Sequence, residues 1–262
     1  MSDCIRIEKR GSLTLLEMIR PEMMNPLDIE AGREIGTALE SIAGSGARAL
    51  LITGRGRAFS AGGDIKGMLA SVEDGGPEEY MDELTRELYA IGLKLRRLPF
   101  PVIAAVNGHA SGAGMNLALC CDYIIASEKA MFAQSFSRIA LIPGFGGTFL
   151  LPNQLPWQRA CEIAFTGEAI SAAEMMRLGF VNRVVPAERL MEEAMVIAEK
   201  FAAGPTLTFA RTKELFLKSM GAAFEDHLEY ERGIQVKSAG TDDYAEGVRA
   251  LNAGKKAEFR GC

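Results

Sequence analysis

A glycine-rich turn between an apolar run and a helix-like segment is the part of the sequence best suited to chemistry. The run Val102–Val106 is built of small and β-branched residues, which predicts a buried strand, and Asn107-Gly108 ends it. Gly112 and Gly114 then keep side chains away from the backbone where the next helix begins. The N–H groups at a helix start are unpaired and lie at the positive end of the helix dipole. The turn is suited to hold an anion or an oxygen that becomes negative, and close packing of a helix on a strand remains the alternative.

A second loop repeats this arrangement earlier in the chain. The run Ala49–Thr53 predicts another core strand, and a segment rich in glycine and other small residues follows it up to Gly62-Gly63-Asp64-Ile65. Two such loops, each placed after a core strand, can aim two backbone N–H donors at one carbonyl oxygen.

Four segments carry a resemblance to a known family. In order and spacing they are similar to segments of the enoyl-CoA hydratase/isomerase (crotonase) superfamily. The residue sequence around Gly112–Leu119 is most similar to that of isomerase-like members. The segments are Ala58–Ile65, Val106–Asp122, Ile142–Thr148 and Ala172–Val185.

The resemblance implies an α/β fold with two regions. Residues 1–200 are expected to form a crotonase-like spiral of strand-strand-helix units that contains the acyl-CoA site. Residues 201–262 are expected to form a C-terminal helical oligomerisation region that builds a homotrimer or a dimer of trimers and helps to cover the site.

The resemblance also assigns roles to individual residues. The backbone N–H groups of Gly63 and Ala113 would form an oxyanion hole for the thioester carbonyl, although most relatives have glycine where Ala113 stands. The residues implied to bind coenzyme A are Ala61, Asp64, Ile65, Lys66 and Phe259, and those implied to line the acyl pocket are Met68, Phe136, Leu141 and Gly144. Three of them have a second interpretation: a solvated lysine for Lys66, core packing for Phe259, and bonds to turn N–H groups for Asp64.

The acid–base groups depart from the family pattern. Hydratases of this family have glutamates where this chain has Asn116 and Phe136, and isomerase-like members have an aspartate where it has Gly144. An amide, a phenyl ring and a glycine cannot transfer a proton. Gly144 is expected to leave room for a larger side chain. Asn116 is expected either to hold a water or substrate oxygen or to satisfy backbone groups in the turn.

Other residues are candidates for the missing acid. The carboxylates of Glu78, Glu79, Asp82 and Glu83 lie on a helix that borders the pocket in relatives, although a charged outer face is the alternative. His109 precedes the oxyanion helix and is a second candidate. The leading hypothesis is an enoyl-CoA hydratase/isomerase family enzyme that stabilises a thioester enolate. The alternatives are a decarboxylase, a thioester hydrolase, a carbon–carbon lyase or a non-catalytic acyl-CoA-binding protein.

The composition and charge of the chain argue against several classes of function. The 262 residues carry a net charge of -5 without a basic block, so we expect no nucleic-acid partner. No apolar run reaches spanning length and the first residues do not resemble a signal peptide, so we expect no membrane association. The five cysteines form no C-x-x-C pair and the two histidines form no zinc motif, which predicts a reduced, cytoplasmic protein without a metal site. No cofactor is expected beyond the coenzyme A of the substrate.

The spacing of apolar residues and the positions of glycine and proline predict several helices and strands. A hairpin is expected around Gly11, a helix over Leu27–Ile42, and a long helix from Pro77 to Arg97 closed by the prolines that follow. The segment between Ile65 and Pro77 is interpreted as a polar connection. From Leu155 onward we expect mainly helices.

Overall fold

The computed structural model of the chain describes residues 4–219 and 223–258. Its strands in chain order are β1 (Ile5–Arg10), β2 (Leu13–Met18), β3 (Pro26–Leu27), β4 (Ala49–Gly54), β5 (Ala58–Ser60), β6 (Gly62–Gly63), β7 (Val102–Val106), β8 (His109–Ser111), β9 (Tyr123–Ser127), β10 (Met131–Ala133), β11 (Ile170–Ser171) and β12 (Arg183–Val185). Its α-helices are α1 (Ile29–Ala43), α2 (Ile65–Glu73), α3 (Pro77–Arg97), α4 (Ala113–Leu119), α5 (Gly147–Gln154), α6 (Trp157–Thr166), α7 (Ala172–Arg177), α8 (Leu190–Ala203), α9 (Thr206–Ser219), α10 (Ala223–Ala239) and α11 (Asp242–Asn252).

A six-stranded sheet in the order β1-β2-β4-β7-β9-β12 forms the centre of the fold. The β1–β2 hairpin is antiparallel, as predicted, and turns at Gly11, whose φ of +61° suits glycine. The other pairs in this sheet are parallel. Strands β4 and β7 are buried along their whole length, as expected for parallel strands with both faces covered.

Two smaller sheets hold the loops of interest. One has four strands in the order β11-β10-β8-β5, and the other pairs β3 with β6 in parallel. In sequence, β4 is followed by β5 and β6, and β7 is followed by β8. Since β4 and β7 are parallel neighbours, both predicted loops leave the main sheet at the same edge. The spiral of strand-strand-helix units expected from the resemblance is confirmed.

The long helix α3 has the predicted bounds, Pro77–Arg97. Proline in its first turn and acidic residues beside it suit the positive end of the dipole, and Lys94, Arg96 and Arg97 suit the last turn. Helix α3 packs against α1 on one side and α10 on another, while α8 covers the opposite face of the sheet.

The connection between Ile65 and Pro77 differs from the prediction, because much of it is the helix α2. Its N-cap is Asp64, whose carboxylate accepts hydrogen bonds from the N–H groups of Lys66 and Gly67, both at 3.1 Å. A helix also begins earlier than expected on the C-terminal side, at Gly147 in α5.

Three C-terminal helices, α9, α10 and α11, follow the predicted pattern. Helix α10 packs on α3, and α11 packs on α2 and on the 3₁₀ turn Ser135–Ile139. These helices place residues beyond position 200 next to the loops of the spiral core. No helix in the described ranges combines the length and apolar character that crossing a membrane would require.

Candidate functional site

A cavity of about 630 Å³ lies where the two loops meet the C-terminal helices. Most of its wall is apolar and comes from α2, α3 and the segment after β10. Lining side chains of this kind are Met68, Met81, Leu84, Leu88, Phe136, Ile139, Leu141 and Phe145. Gln235, Leu251 and Asn252 close it from α10 and α11, so both predicted regions of the chain contribute to the cavity.

The two glycine-rich loops touch at the start of α4. Gly62 has a φ of +92°, and a Cβ at this position would lie 2.5 Å from the Ser111 carbonyl oxygen and 3.4 Å from the Ala113 nitrogen. Any side chain would therefore push the loops apart. Gly63 and Ala113 both line the cavity, and the Ala113 N–H belongs to the first helical turn, which has no intrahelical acceptor.

Glycines on the second loop allow this close approach. Gly112 is the N-cap of α4 with a φ of +51°, a conformation that L side chains rarely adopt. A Cβ on Gly114 would lie 2.5 Å from the Ser60 carbonyl oxygen. Close packing of the backbone, one of the two interpretations of this turn, therefore places the start of α4 beside the cavity, and the N–H groups of its first turn have no intrahelical acceptor.

The residues implied to bind coenzyme A divide into three groups. Ala61, Ile65 and the exposed Lys66 line the cavity. Asp64 does not, because its carboxylate is used in capping α2, which was its alternative interpretation. Phe259 lies outside the described residues, so its role stays a prediction.

A further lining residue, Met24, comes from the loop before α1. Met24 has a left-handed φ of +61°, and the loop is fixed by Arg20, which donates to Asp28 at 2.6 Å, and by the buried Asn25. Asn25 accepts from the Arg20 N–H at 2.9 Å and donates to the Ala58 carbonyl at 2.9 Å. These bonds tie the loop to the strand that leads into Gly62-Gly63.

Asn116 does not line the cavity. It is fully buried; its Nδ2 donates to the Gly144 carbonyl at 2.6 Å and its Oδ1 accepts from Gln134 Nε2 at 2.6 Å. The amide therefore connects α4 to the segment after β10 and to the turn at Gly144. Its candidate catalytic role receives no support from this geometry, and its alternative role of satisfying nearby backbone and side-chain groups does.

Gly144 lines the cavity but does not leave free room for a side chain. A Cβ there would lie 2.8 Å from Gln235 Nε2 and 3.0 Å from the Tyr89 hydroxyl oxygen. The expectation of an empty space at this position is wrong, because two polar side chains from α3 and α10 fill it. Any residue larger than glycine would require the Gln235 amide to move.

Tyr89, Glu231 and Gln235 were not found by sequence reasoning. Glu231 is buried and accepts from the Gly146 N–H at 3.0 Å and from the Thr148 hydroxyl, which fixes α10 against the turn after Gly144. The i,i+4 spacing of Glu231 and Gln235 places both on one helix face. Nothing in that spacing indicates that the face is turned inward.

Comparisons with known proteins identify the family of the chain. A family model described as enoyl-CoA hydratase/isomerase matches residues 8–261. The chain belongs to this family. It is 36% identical to a probable enoyl-CoA hydratase of Rhodobacter capsulatus, over 98% of each chain. It is 34% identical to the 1,2-epoxyphenylacetyl-CoA isomerase of Escherichia coli, over 97% of this chain and 96% of the relative.

A solved structure supports the fold in the same way. The crystal structure of an enoyl-CoA hydratase from Mycobacterium avium subsp. paratuberculosis superposes with a TM-score of 0.89 at 27% identity, and the match covers 99% of this chain and 100% of that chain. The crotonase-like fold class is therefore confirmed.

The described lining of the cavity differs from the family pattern in its acidic residues. None of the described residues that line it is an aspartate or a glutamate. Phe136 is part of the wall, and its ring edge would lie 3.6 Å from a Cβ on Gly112, beside the turn that carries Ala113. An aromatic ring thus occupies the side of the turn where the resemblance places a glutamate.

The acidic residues of α3 are not in the cavity lining either. Glu83 pairs with Arg33, and Asp82 pairs with Arg86 and Arg232. Glu78 and Glu79, in the first turn, are likewise absent from the lining. The lining residues of α3 come from its apolar face, which agrees with the alternative of a charged outer face.

The imidazole of His109 belongs to a residue that lines the cavity. It lies in β8, is exposed, and lines the opening together with Lys66 and Arg138. Its position at the mouth leaves its candidate catalytic role as a prediction.

One set of possible metal ligands occurs away from the cavity. Cys4, Glu30 and Glu34 bring ligand atoms within 4.8 Å of one another. Burial is the main cause that raises the pKa of Cys4 to about 12, and the Cys4 N–H donates to Glu34 at 3.0 Å. Since a thiol must lose its proton to bind a metal well, these residues give little support for a metal site.

Proposed function

We propose that this enzyme of the enoyl-CoA hydratase/isomerase family binds an acyl-CoA thioester in the cavity and stabilises its enolate. The N–H groups of Gly63 and Ala113 would donate to the thioester carbonyl oxygen. The observation that supports the proposal is the close approach of Gly62 to the start of α4, with Gly63 and Ala113 both among the lining residues of the cavity.

The shape of the cavity supports this placement of the ligand. Its exposed end carries the cations Lys66 and Arg138, which suit the phosphates of coenzyme A. Its buried end is mainly apolar and suits an acyl chain. When charge builds on the carbonyl oxygen, fixed N–H donors stabilise it without reorganisation, and each such donor contributes about 3–4 kcal/mol in comparable oxyanion holes.

A second candidate reaction is decarboxylation of an acyl-CoA that carries a carboxylate on the carbon next to the thioester carbonyl. The lack of carboxylates among the described lining residues favours it. In this reaction the carbon–carbon bond to the carboxylate breaks, its electron pair moves to the thioester carbonyl, and carbon dioxide leaves. No base is needed to form the enolate, and a proton from solvent then completes the product.

Calorimetric titration tests the proposed ligand. We expect saturable binding of butyryl-CoA, and Lys66→Ala should weaken it about two- to fivefold at low salt, the range of an exposed ion pair. The difference between wild type and variant should shrink as salt rises, because ions screen a lysine–phosphate contact. Lys200→Ala, on the exposed side of α8, is the matched control and should leave binding unchanged. Failure of coenzyme A and butyryl-CoA to bind wild-type protein would refute the proposal.

We also propose that the chain forms a homotrimer or a dimer of trimers through its C-terminal region. Helix α9 exposes three large apolar side chains, each by more than 60%: Leu207, Leu215 and Phe216. Such exposure on one helix is unusual in a monomer and is typical of an interaction surface. Phe209, on the same helix, packs edge-to-face on Phe201 with ring centres 6.1 Å apart and so has a partner within the chain.

Light scattering at micromolar concentration checks the assembly. We expect three or six times the chain mass of 28.3 kDa, and Phe216→Glu should lower it by placing a charge in an apolar contact. Ile7→Glu, an exposed position on β1, is the control that should not change the mass. A wild-type particle of one chain mass would contradict the assembly.

A further inference from the structure

Two large polar side chains lie together at the buried end of the cavity. Tyr89 and Gln235 line it there, and their exposed fractions are only 6% and 3%. Their lining neighbours Leu88 and Phe145 are apolar. Both polar groups point to the site of Gly144, since their terminal atoms lie within 3.0 Å of where a Cβ on that residue would be.

Gln235 has hydrogen-bonding capacity that the protein does not use. Within residues 4–219 and 223–258, its Oε1 has no hydrogen-bond partner. Nearly all buried polar groups in native proteins have a partner, and one left without is costly. An amide also carries N–H donors, so a group that both donates and accepts would satisfy it best.

Tyr89 supplies a hydroxyl donor beside this amide. Burial raises the pKa of Tyr89 well above its ordinary value, and the nearby Glu231 carboxylate raises it further, so the phenol stays protonated. Glu231 is itself fixed by the Gly146 N–H and the Thr148 hydroxyl. The polar pair Tyr89–Gln235 is therefore held in place by the same contacts that dock α10.

The pair is connected to the proposed oxyanion hole through Asn116. Asn116 lies three residues after Ala113, about one helical turn along α4, and donates to the Gly144 carbonyl at 2.6 Å. Since Lys66 is at the exposed end and Gln235 is buried, an acyl chain that runs inward from Ala113 approaches Tyr89 and Gln235.

We propose that Gln235 and Tyr89 bind a hydroxyl group carried by the acyl chain beyond C3, so that the site prefers acyl-CoA thioesters hydroxylated in the distal part of the chain over their alkyl counterparts. A hydroxyl donates to Gln235 Oε1, accepts from Tyr89, and is neutral, so it needs no counter-ion at the buried end. This assignment rests on the proposed function, because it takes the ligand to be an acyl-CoA. A site with buried polar groups discriminates against analogues that leave those groups unpaired.

Calorimetry with matched thioesters tests the assignment. Hexanoyl-CoA is compared with the three hexanoyl-CoAs that carry one hydroxyl at C4, C5 or C6. We expect at least one hydroxylated form to bind wild-type protein about tenfold more tightly than hexanoyl-CoA, the ratio that one satisfied buried acceptor supports.

Variants identify the groups responsible. Gln235→Leu should abolish this preference while it keeps or improves the affinity for hexanoyl-CoA, which a misfolded variant would lose. Tyr89→Phe, which retains the ring that faces Phe145 at a centroid distance of 6.5 Å, should reduce the preference in part.

The outcomes separate the two proposals. Binding of hexanoyl-CoA without preference for any hydroxylated form would overturn the assignment and leave the proposed function intact. A preference that survives in Gln235→Leu would also overturn it. Absence of binding by every thioester would overturn both.

Discussion

Hydration of crotonyl-CoA by this protein should be slower by about 10²–10⁴-fold than hydration by a family hydratase that carries both glutamates. The described lining contains no carboxylate, Asn116 is fully engaged away from the cavity, and Phe136 occupies the side of the turn assigned to the second acid. That loss corresponds to about 3–5 kcal/mol of transition-state stabilisation, whereas the two backbone donors retain their share.

The two enzymes are assayed side by side by the loss of enoyl absorbance. A rate that matches the glutamate-bearing hydratase would contradict the account, and His109, the imidazole at the cavity opening, would be the first residue to replace. His109→Gln would then be expected to remove the activity. The acidic residues of α3 are weaker candidates because Asp82 and Glu83 pair with arginines outside the lining.

Replacing Ala113 with proline should lower kcat by about 10²–10³-fold on whichever acyl-CoA the protein turns over best, the usual effect of removing one oxyanion donor. Ala113 is the first residue of α4, a position where helices tolerate proline because the N–H has no intrahelical acceptor. The affinity for butyryl-CoA should change far less than kcat, since the donor acts mainly on charge that develops in the transition state.

Trp157→Pro is the matched control for this change. Trp157 is the first residue of α6, is 70% exposed, and follows Pro156 in an extended conformation that suits a second proline. The Trp157→Pro variant should retain wild-type turnover. An unchanged kcat in Ala113→Pro would exclude the Ala113 N–H from the mechanism.

Local signals were sufficient to predict much of the fold. The hairpin around Gly11, the buried strand Val102–Val106 and the bounds of α3 all follow from spacing and from glycine or proline at the ends. Helix α2 was missed although Asp64 is a good N-cap and Ile65 begins an i, i+3, i+4, i+7 apolar series. The polar and glycine residues at positions 73–76 led to the interpretation of the whole segment as a connection, whereas they lie only at the end of the helix and after it.

The buried end of the cavity could not be predicted in this way. Tyr89, Gly144 and Gln235 are far apart in sequence and meet only because α10 packs on α3 and on the turn before α5. Gly144 was therefore expected to leave free space, and the buried Glu231 was not considered at all. Such positions depend on which face of a helix turns inward, and that is decided by tertiary contacts.

A crystal structure of the protein with butyryl-CoA would test the proposed oxyanion hole. We expect the thioester carbonyl oxygen to lie about 2.7–3.1 Å from both the Gly63 and the Ala113 nitrogen, the range of oxyanion-hole donors. The coenzyme should leave the cavity past Lys66, and the butyryl group should point toward Gly144. A carbonyl oxygen bound away from these two nitrogens, or a coenzyme bound outside this cavity, would contradict the account.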